Sequence, residues 1–193
     1  MAKKICVIVV VVGLLAGGLA WLLQSEGDRH SGAATQQSQL RVVTTTTMVT
    51  DMVSVIGGDR ITVKGLMGPG VDPHSYQITF EDTAALQDAD IIFYSGQHLE
   101  GKMQDVLEKR AKNKGSVFAL TNGINQAGLL KPQEEFQGYY DPHVWGNPEL
   151  WSESVKLVVN ALCEADPEGA EGYRERGQRY HQELLELHTW IEA

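Results

Sequence analysis

Cysteine is almost missing from this chain. Cys6 opens an apolar run near the N-terminus and leaves Cys163 as the single remaining thiol, so no disulfide framework holds the fold. Basic residues are also in short supply. The 16 Lys and Arg face 25 Asp and Glu, for a net charge of −9, and no basic patch is present, which excludes nucleic acid as a partner. Such an acidic balance suits the attraction of a cation, although it is equally ordinary for a soluble domain. His-Glu-x-x-His, the Gly-x-Ser-x-Gly elbow and the phosphate-binding loop are absent, so the common catalytic signatures are missing.

What is present begins with an export segment. Lys3 and Lys4 precede an unbroken apolar run over residues 5–23, and the sequence turns polar at Gln24. A positive start followed by an apolar stretch reads as a secretory signal. About 20 apolar residues also suffice to span a bilayer, and the small-residue cleavage site near Ala33-Ala34 lies well past the run. Residues 1–34 are therefore a signal peptide or a membrane anchor plus the start of a spacer. Either outcome places the rest outside the cytoplasm, because positive residues stay inside. No Cys stands just after the run, as a lipoprotein signal would require. Residues 27–39 are rich in Ser, Gln, Gly and Ala and read as a flexible spacer.

From residue 40 onward, β-rich apolar runs alternate with amphipathic ones. Residues 40–46, 60–67, 89–94 and 116–120 read as strands, and 48–56, 79–88, 99–113 and 149–165 as helices. Thr79 is expected to cap its helix, with Asp82 three residues on in place of the usual Glu. Trp151, Val155, Val158, Val159 and Leu162 lie along one side of the 149–165 helix. This alternation predicts an α/β class, a doubly wound and mostly parallel four-stranded sheet with right-handed crossovers. The last segment differs. Ala170, Tyr173, Gly177, Tyr180, Leu184, Leu187 and Ile191 recur three and four apart, a stripe on one helix face. Three glycines (Gly169, Gly172 and Gly177) disfavour a short coiled coil, so a long helix packed on a globular lobe is predicted. It reaches Ala193 with no Gly, no Pro and no basic last turn, as though cut in mid-helix.

The tripeptide Asp-Pro-His occurs twice, as Asp72-Pro73-His74 and Asp141-Pro142-His143. Chance supplies one such tripeptide on the order of 0.01 times in a chain of this composition. Proline fixes its own φ and drives the preceding residue towards extended backbone, so each imidazole leaves the chain in a narrow range of directions. Each ring has an Asp nearby to orient it, the usual company of a metal-ligating histidine. Both copies follow predicted strands, and ligands of open α/β sheets bind at the carboxyl ends of the strands. His74 and His143 are therefore expected to share one crevice. Tyr139, Tyr140, Trp145 and Trp151 either wall that crevice or belong to the core. His98 and Glu100 lie at the same sheet edge, as a rim ligand or as ordinary loop residues. His181 and His188, seven apart on the last helix, read as a solvated face.

These motifs resemble the TroA-like solute-binding proteins that deliver zinc or manganese to bacterial ABC importers. The matching residues are Val42-Val43-Thr44-Thr45, Gly68 through Tyr76 with the first Asp-Pro-His, Asp88 through Tyr94, Leu99-Glu100-Gly101, and Tyr140 through Trp145 with the second. The resemblance implies two α/β lobes joined by one long helix, with the metal held between them. It matches His74 and His143 to the ligands of the first lobe, and the segment from Glu168 to the start of the connecting helix. The implied organisation is an N-terminal metal-binding lobe over 40–166 and a truncated interlobe helix over 167–193, with no counterpart of the second lobe.

The implied function is an extracytoplasmic receptor, not an enzyme, that binds Mn2+ or Zn2+ as cargo. Its partners are the ion and an ABC importer permease, and the chain is expected to be a monomer. Thr121 to Gly138 lacks the His-rich loop of zinc-specialised members, which leans towards manganese. Two imidazoles with carboxylates would by chemistry prefer zinc. The alternatives are a metal-dependent hydrolase using Glu100 or Asp72 as base, and a surface adhesion module.

Overall fold

A computed structural model describes residues 39–114, 116–126, 129 and 140–193. The apolar N-terminal run, the spacer up to residue 38 and Tyr139 lie outside the described residues. Four parallel strands form one sheet: β1 (Leu40–Thr44), β2 (Ile61–Gly65), β3 (Ile91–Tyr94) and β4 (Val117–Ala119), in the order β2-β1-β3-β4. Val42 pairs with Val63 on one side and Ile91 on the other, and Phe93 pairs with Phe118. The helices are α1 (Thr47–Gly57), α2 (Phe80–Asp88), α3 (Gln104–Lys114), α4 (Pro148–Ser152), α5 (Val155–Ala165) and α6 (Ala170–Ile191). The predicted doubly wound α/β lobe, followed by a long helix, is the observed one.

Both faces of the sheet are covered, which is why its central strands are apolar at successive positions rather than alternating. Val42, Ile91 and Phe93 face a core built from α1, α4, α5 and α6, including Val49, Met52, Ile56, Trp151, Val158, Leu162 and Tyr173. Val43, Ile92 and Tyr94 face a smaller core with Leu86, Met103 and Leu107. Thr79 caps α2 through a reciprocal capping box with Asp82, as its sequence spacing predicts.

Two predicted helices differ from those observed. The 149–165 stretch is two helices, interrupted at Glu153 and Ser154. The Ser154 hydroxyl donates to the Leu120 carbonyl at 3.1 Å, and the Glu153 carboxylate accepts from the Asn125 amide at 2.6 Å. These bonds tie the break to the segment after β4, which periodicity cannot register. The 99–113 helix starts only at Gln104, because residues 95–101 form a wound loop around the Glu100 carboxylate.

Polar contacts fasten α6 to the lobe. Arg176 donates to the carbonyls of Ile56 and Gly57 at 2.7 and 2.9 Å, capping the C-terminus of α1. Tyr180 donates to Asp51 at 2.8 Å. Gly177 is buried where α6 crosses α5, and a Cβ there would collide with the Val159 side chain. At the start of the helix, Tyr173 donates to Asp166 at 2.7 Å, and Arg60 grips the same carboxylate with two bonds of 2.6 and 2.8 Å. The Arg60 guanidinium outweighs burial and holds the Asp166 carboxyl at about 2.

A carboxyl depressed in the folded state stabilises the fold above its unfolded pKa of about 3.9, and that contribution is lost as pH falls through the folded value. Asp166→Asn is expected to cost about 1–2 kcal/mol at neutral pH, less than a fully shielded carboxylate would give because Arg60 is open to solvent on one side. In urea unfolding, the gap to wild type should stay constant from pH 7 to about 4 and then close towards pH 2. A gap independent of pH contradicts this assignment.

Candidate metal centre

Both Asp-Pro-His copies fold the same way. Asp72 Oδ1 accepts from the His74 backbone amide at 3.0 Å, and Asp141 Oδ1 accepts from the His143 amide at 2.9 Å. Each is an Asp side chain closing on the backbone two residues on, with proline holding the link between them. The first copy leaves the sheet after β2 and the second precedes α4. Their rings meet with Nε2 of His74 3.3 Å from Nε2 of His143, the ring centroids 5.3 Å apart and the planes at 61°.

The rings stand in a cleft of about 320 Å³ whose other walls include Thr46, Thr47, Met67, Val71 and Trp145. Thr46 and Thr47 mark the exit of β1, so the cleft sits where strand order reverses between β1 and β3, the position that open α/β sheets use for ligands. These threonines were not singled out from the sequence. The signal that could find them is the switch-point rule applied to the first predicted strand.

The two copies differ in what holds the ring. Asp141 Oδ1 lies 2.7 Å from Nδ1 of His143 as well as accepting its amide. Burial pushes the Asp141 carboxyl up, but these two bonds from His143 outweigh it and keep the group below the usual carboxylate range. The ionised oxygen therefore accepts a hydrogen bond from Nδ1–H, and Nε2 presents its lone pair to the cleft. Asp72 is also depressed, first by the Ser75 hydroxyl and then by the His74 amide. Its second oxygen accepts from Ser75 at 2.6 Å, so Asp72 fixes the turn and not the ring. The expectation that both aspartates orient their imidazoles holds for Asp141 alone.

The aromatic residues divide. Trp145 lines the cleft edge-on to His143, at 5.3 Å and 69°. Trp151 is buried in the core and Tyr140 packs against it. His98 and Glu100 do not line the cleft. Glu100 is fully buried, and its carboxylate accepts from Thr45 Oγ1 at 2.7 Å, the Ser95 amide at 2.6 Å and the Gly96 amide at 3.1 Å. It is a loop-building residue and not a rim ligand. His181 and His188 are half-buried rather than solvated. Nδ1 of His181 lies 3.2 Å from the Ser152 carbonyl, and Nε2 of His188 lies 3.5 Å from Glu149 and 3.6 Å from Glu192. Both pack α6 on α4. Among the described residues, no group of three or more His, Cys, Asp or Glu side chains could hold an ion.

Fold and site together define an open α/β lobe that presents two imidazoles at its switch point. Over residues 42–193 the chain matches the family described as zinc-uptake complex component A, periplasmic, and it belongs to that family. The manganese-binding lipoprotein MntA of Bacillus subtilis is 38% identical over 180 residues, covering 92% of this chain and 58% of that protein. The zinc-binding protein TroA of Treponema pallidum is 36% identical over 189 residues, covering 98% and 58%. The solved structure of periplasmic zinc-binding TroA from Treponema pallidum superposes with a TM-score of 0.74 at 40% identity, over 80% of this chain and 54% of that one. The Zn(II)-bound AdcA of Streptococcus pneumoniae superposes with a TM-score of 0.68 at 27% identity, over 79% and 32%. The chain thus spans little more than half the length of the curated relatives it matches.

The bond from Nδ1 of His143 to Asp141 predicts a single tautomer for that ring. Long-range 1H–15N spectra of the metal-free protein should show His143 protonated at Nδ1. Asp141→Asn should populate both tautomers of His143. An unchanged His143 tautomer in the variant contradicts the role given to Asp141.

Proposed function

We propose that this chain is the metal-capturing lobe of an extracytoplasmic receptor that delivers Zn2+ or Mn2+ to the permease of an ABC importer. The carrying observation is the 3.3 Å between the two Nε2 atoms. Two nitrogens bound at about 2.0–2.1 Å to one tetrahedral ion stand about 3.3 Å apart, so the rings are spaced to share an ion. His74 and His143 are the ligands in this reading, and Asp141 orients the second ring. Water and ligands from elsewhere complete the coordination.

Residues 40–166 form the lobe, and residues 167–193 begin the helix that joins it to a partner lobe. Two observations support that division. The curated relatives are longer than this chain, and the apolar stripe of α6, buried at Ala170, Tyr173 and Gly177, ends in exposed Leu187, Trp190 and Ile191. The basic start and apolar run over residues 3–23 support export. The relatives' names divide between manganese, zinc and iron. Two imidazoles on their own bind zinc more tightly than manganese, so zinc is the cargo that this half of the site favours.

The reading makes the chain a carrier and not a catalyst. A hydrolase would need a general base beside the ion. Glu100 is committed to three hydrogen bonds away from the cleft, and Asp72 to the His74 amide and Ser75.

With two protein ligands, the chain should bind Zn2+ with a Kd in the range of about 1–100 μM, far weaker than complete structural zinc sites. His74→Ala and His143→Ala should each abolish that binding in calorimetry. Nanomolar affinity, or retention of binding in either variant, contradicts the proposal.

A further inference from the structure

We propose that Gly101, held in place by the buried carboxylate of Glu100, positions the His74 imidazole. The inference rests on reading His74 and His143 as metal ligands. It starts from the asymmetry between the two histidines. Asp141 holds the His143 ring directly, whereas Asp72 reaches the backbone of His74 and not its ring. The direction of His74 therefore follows from where its backbone is placed.

That backbone rests on the loop after β3. The loop is unusual in its dihedrals: Gly96, Gln97 and His98 have φ of 95°, 48° and 59°. Two consecutive non-glycine residues in the left-handed region are costly, and such strain persists only where the surroundings over-determine it. Here Glu100 does so. One of its oxygens accepts from Thr45 and the Ser95 amide, and the other accepts from the Gly96 amide. Leu99 and Met103, on either side of Glu100 and Gly101, are fully buried, and Met103 anchors the loop in the smaller core. Thr45 leaves β1 and Ser95 leaves β3, so the carboxylate clamps the two central strands at the cleft end of the sheet.

Gly101 carries this rigidity to the site. Its φ is 26°, and a Cβ built on it would lie 2.5 Å from the carbonyl oxygen of His74 and 3.3 Å from the carbonyl carbon. The neighbour is backbone, which cannot rotate away as a side chain can. Any larger residue at position 101 must push the His74 turn off the loop, and with it the ring that faces His143. Groups that orient metal ligands from behind typically change metal affinity 10- to 100-fold.

The test uses the full chain, Zn2+ as the probe and three variants: Gly101→Ala, Thr45→Val and Glu100→Gln. Thermal unfolding, Zn2+ calorimetry and 1H–15N spectra of the metal-free proteins are recorded for each. Gly101→Ala should displace the amide signals of His74 and Ser75, leave that of His143 in place and weaken Zn2+ binding about 10- to 100-fold. Thr45→Val and Glu100→Gln, which loosen the clamp without adding bulk, should shift the same His74 signal and weaken binding in the same direction. They keep the test open should Gly101→Ala fail to fold. Unchanged His74 signals and unchanged Zn2+ affinity in the folded variants overturn the positioning role alone. A wild-type chain that takes up no Zn2+ overturns the reading of the site itself, and that result is visible before any variant is compared.

Discussion

The site depends on the point in the sheet where strand order reverses. β1 sends the chain outward to β2 on one side, and β3 sends it to β4 on the other. Right-handed crossovers then place α1 on one face and α2 and α3 on the opposite face. This leaves a crevice above the carboxyl ends of the two central strands, where no helix packs. The loops that follow the two outer strands lean over it from opposite sides. One histidine from each loop is enough to bring two imidazoles together, although the residues are 69 apart in sequence.

Each Asp-Pro-His turn makes that meeting reproducible at little cost in flexibility. The aspartate closes on the backbone two residues on, proline restricts the link, and the ring starts from a fixed frame. Beyond the turn the two sides rely on different physics. His143 is held electrostatically, by an ionised carboxylate on its far nitrogen and an aromatic edge beside it. His74 is held sterically, by a glycine that lets two backbones touch and a buried carboxylate that keeps the touching loop in place. Ligand direction is thus set on one side by a charge and on the other by a packing contact.

Much of this was legible in the sequence, for identifiable reasons. Apolar runs such as Ile91 to Tyr94 announce strands buried on both faces, and the spacing of Thr79 and Asp82 announces a helix start, because both signals are local. The paired tripeptide pointed to His74 and His143 because its rarity and stiffness are properties of three residues. What escaped detection depends on tertiary partners. The break at Glu153 and Ser154 exists because the segment after β4 offers bonding partners there. Glu100 reads from sequence as either a rim ligand or an ordinary loop residue, because a carboxylate beside a histidine looks the same whether it faces solvent or three buried donors. His181 and His188 looked solvated because the polar face of α6 gives no sign that α4 covers part of it.

The central claim is that His74 and His143 hold one ion between them. The most direct measurement is a Zn2+ titration of histidine-labelled protein, following the imidazole nitrogens of all six histidines. Nε2 of His74 and Nε2 of His143 should shift together and saturate at one ion per chain, while His98, His181 and His188 stay where they were. Movement of one ring without the other, or saturation of the two at different zinc ratios, would contradict the account.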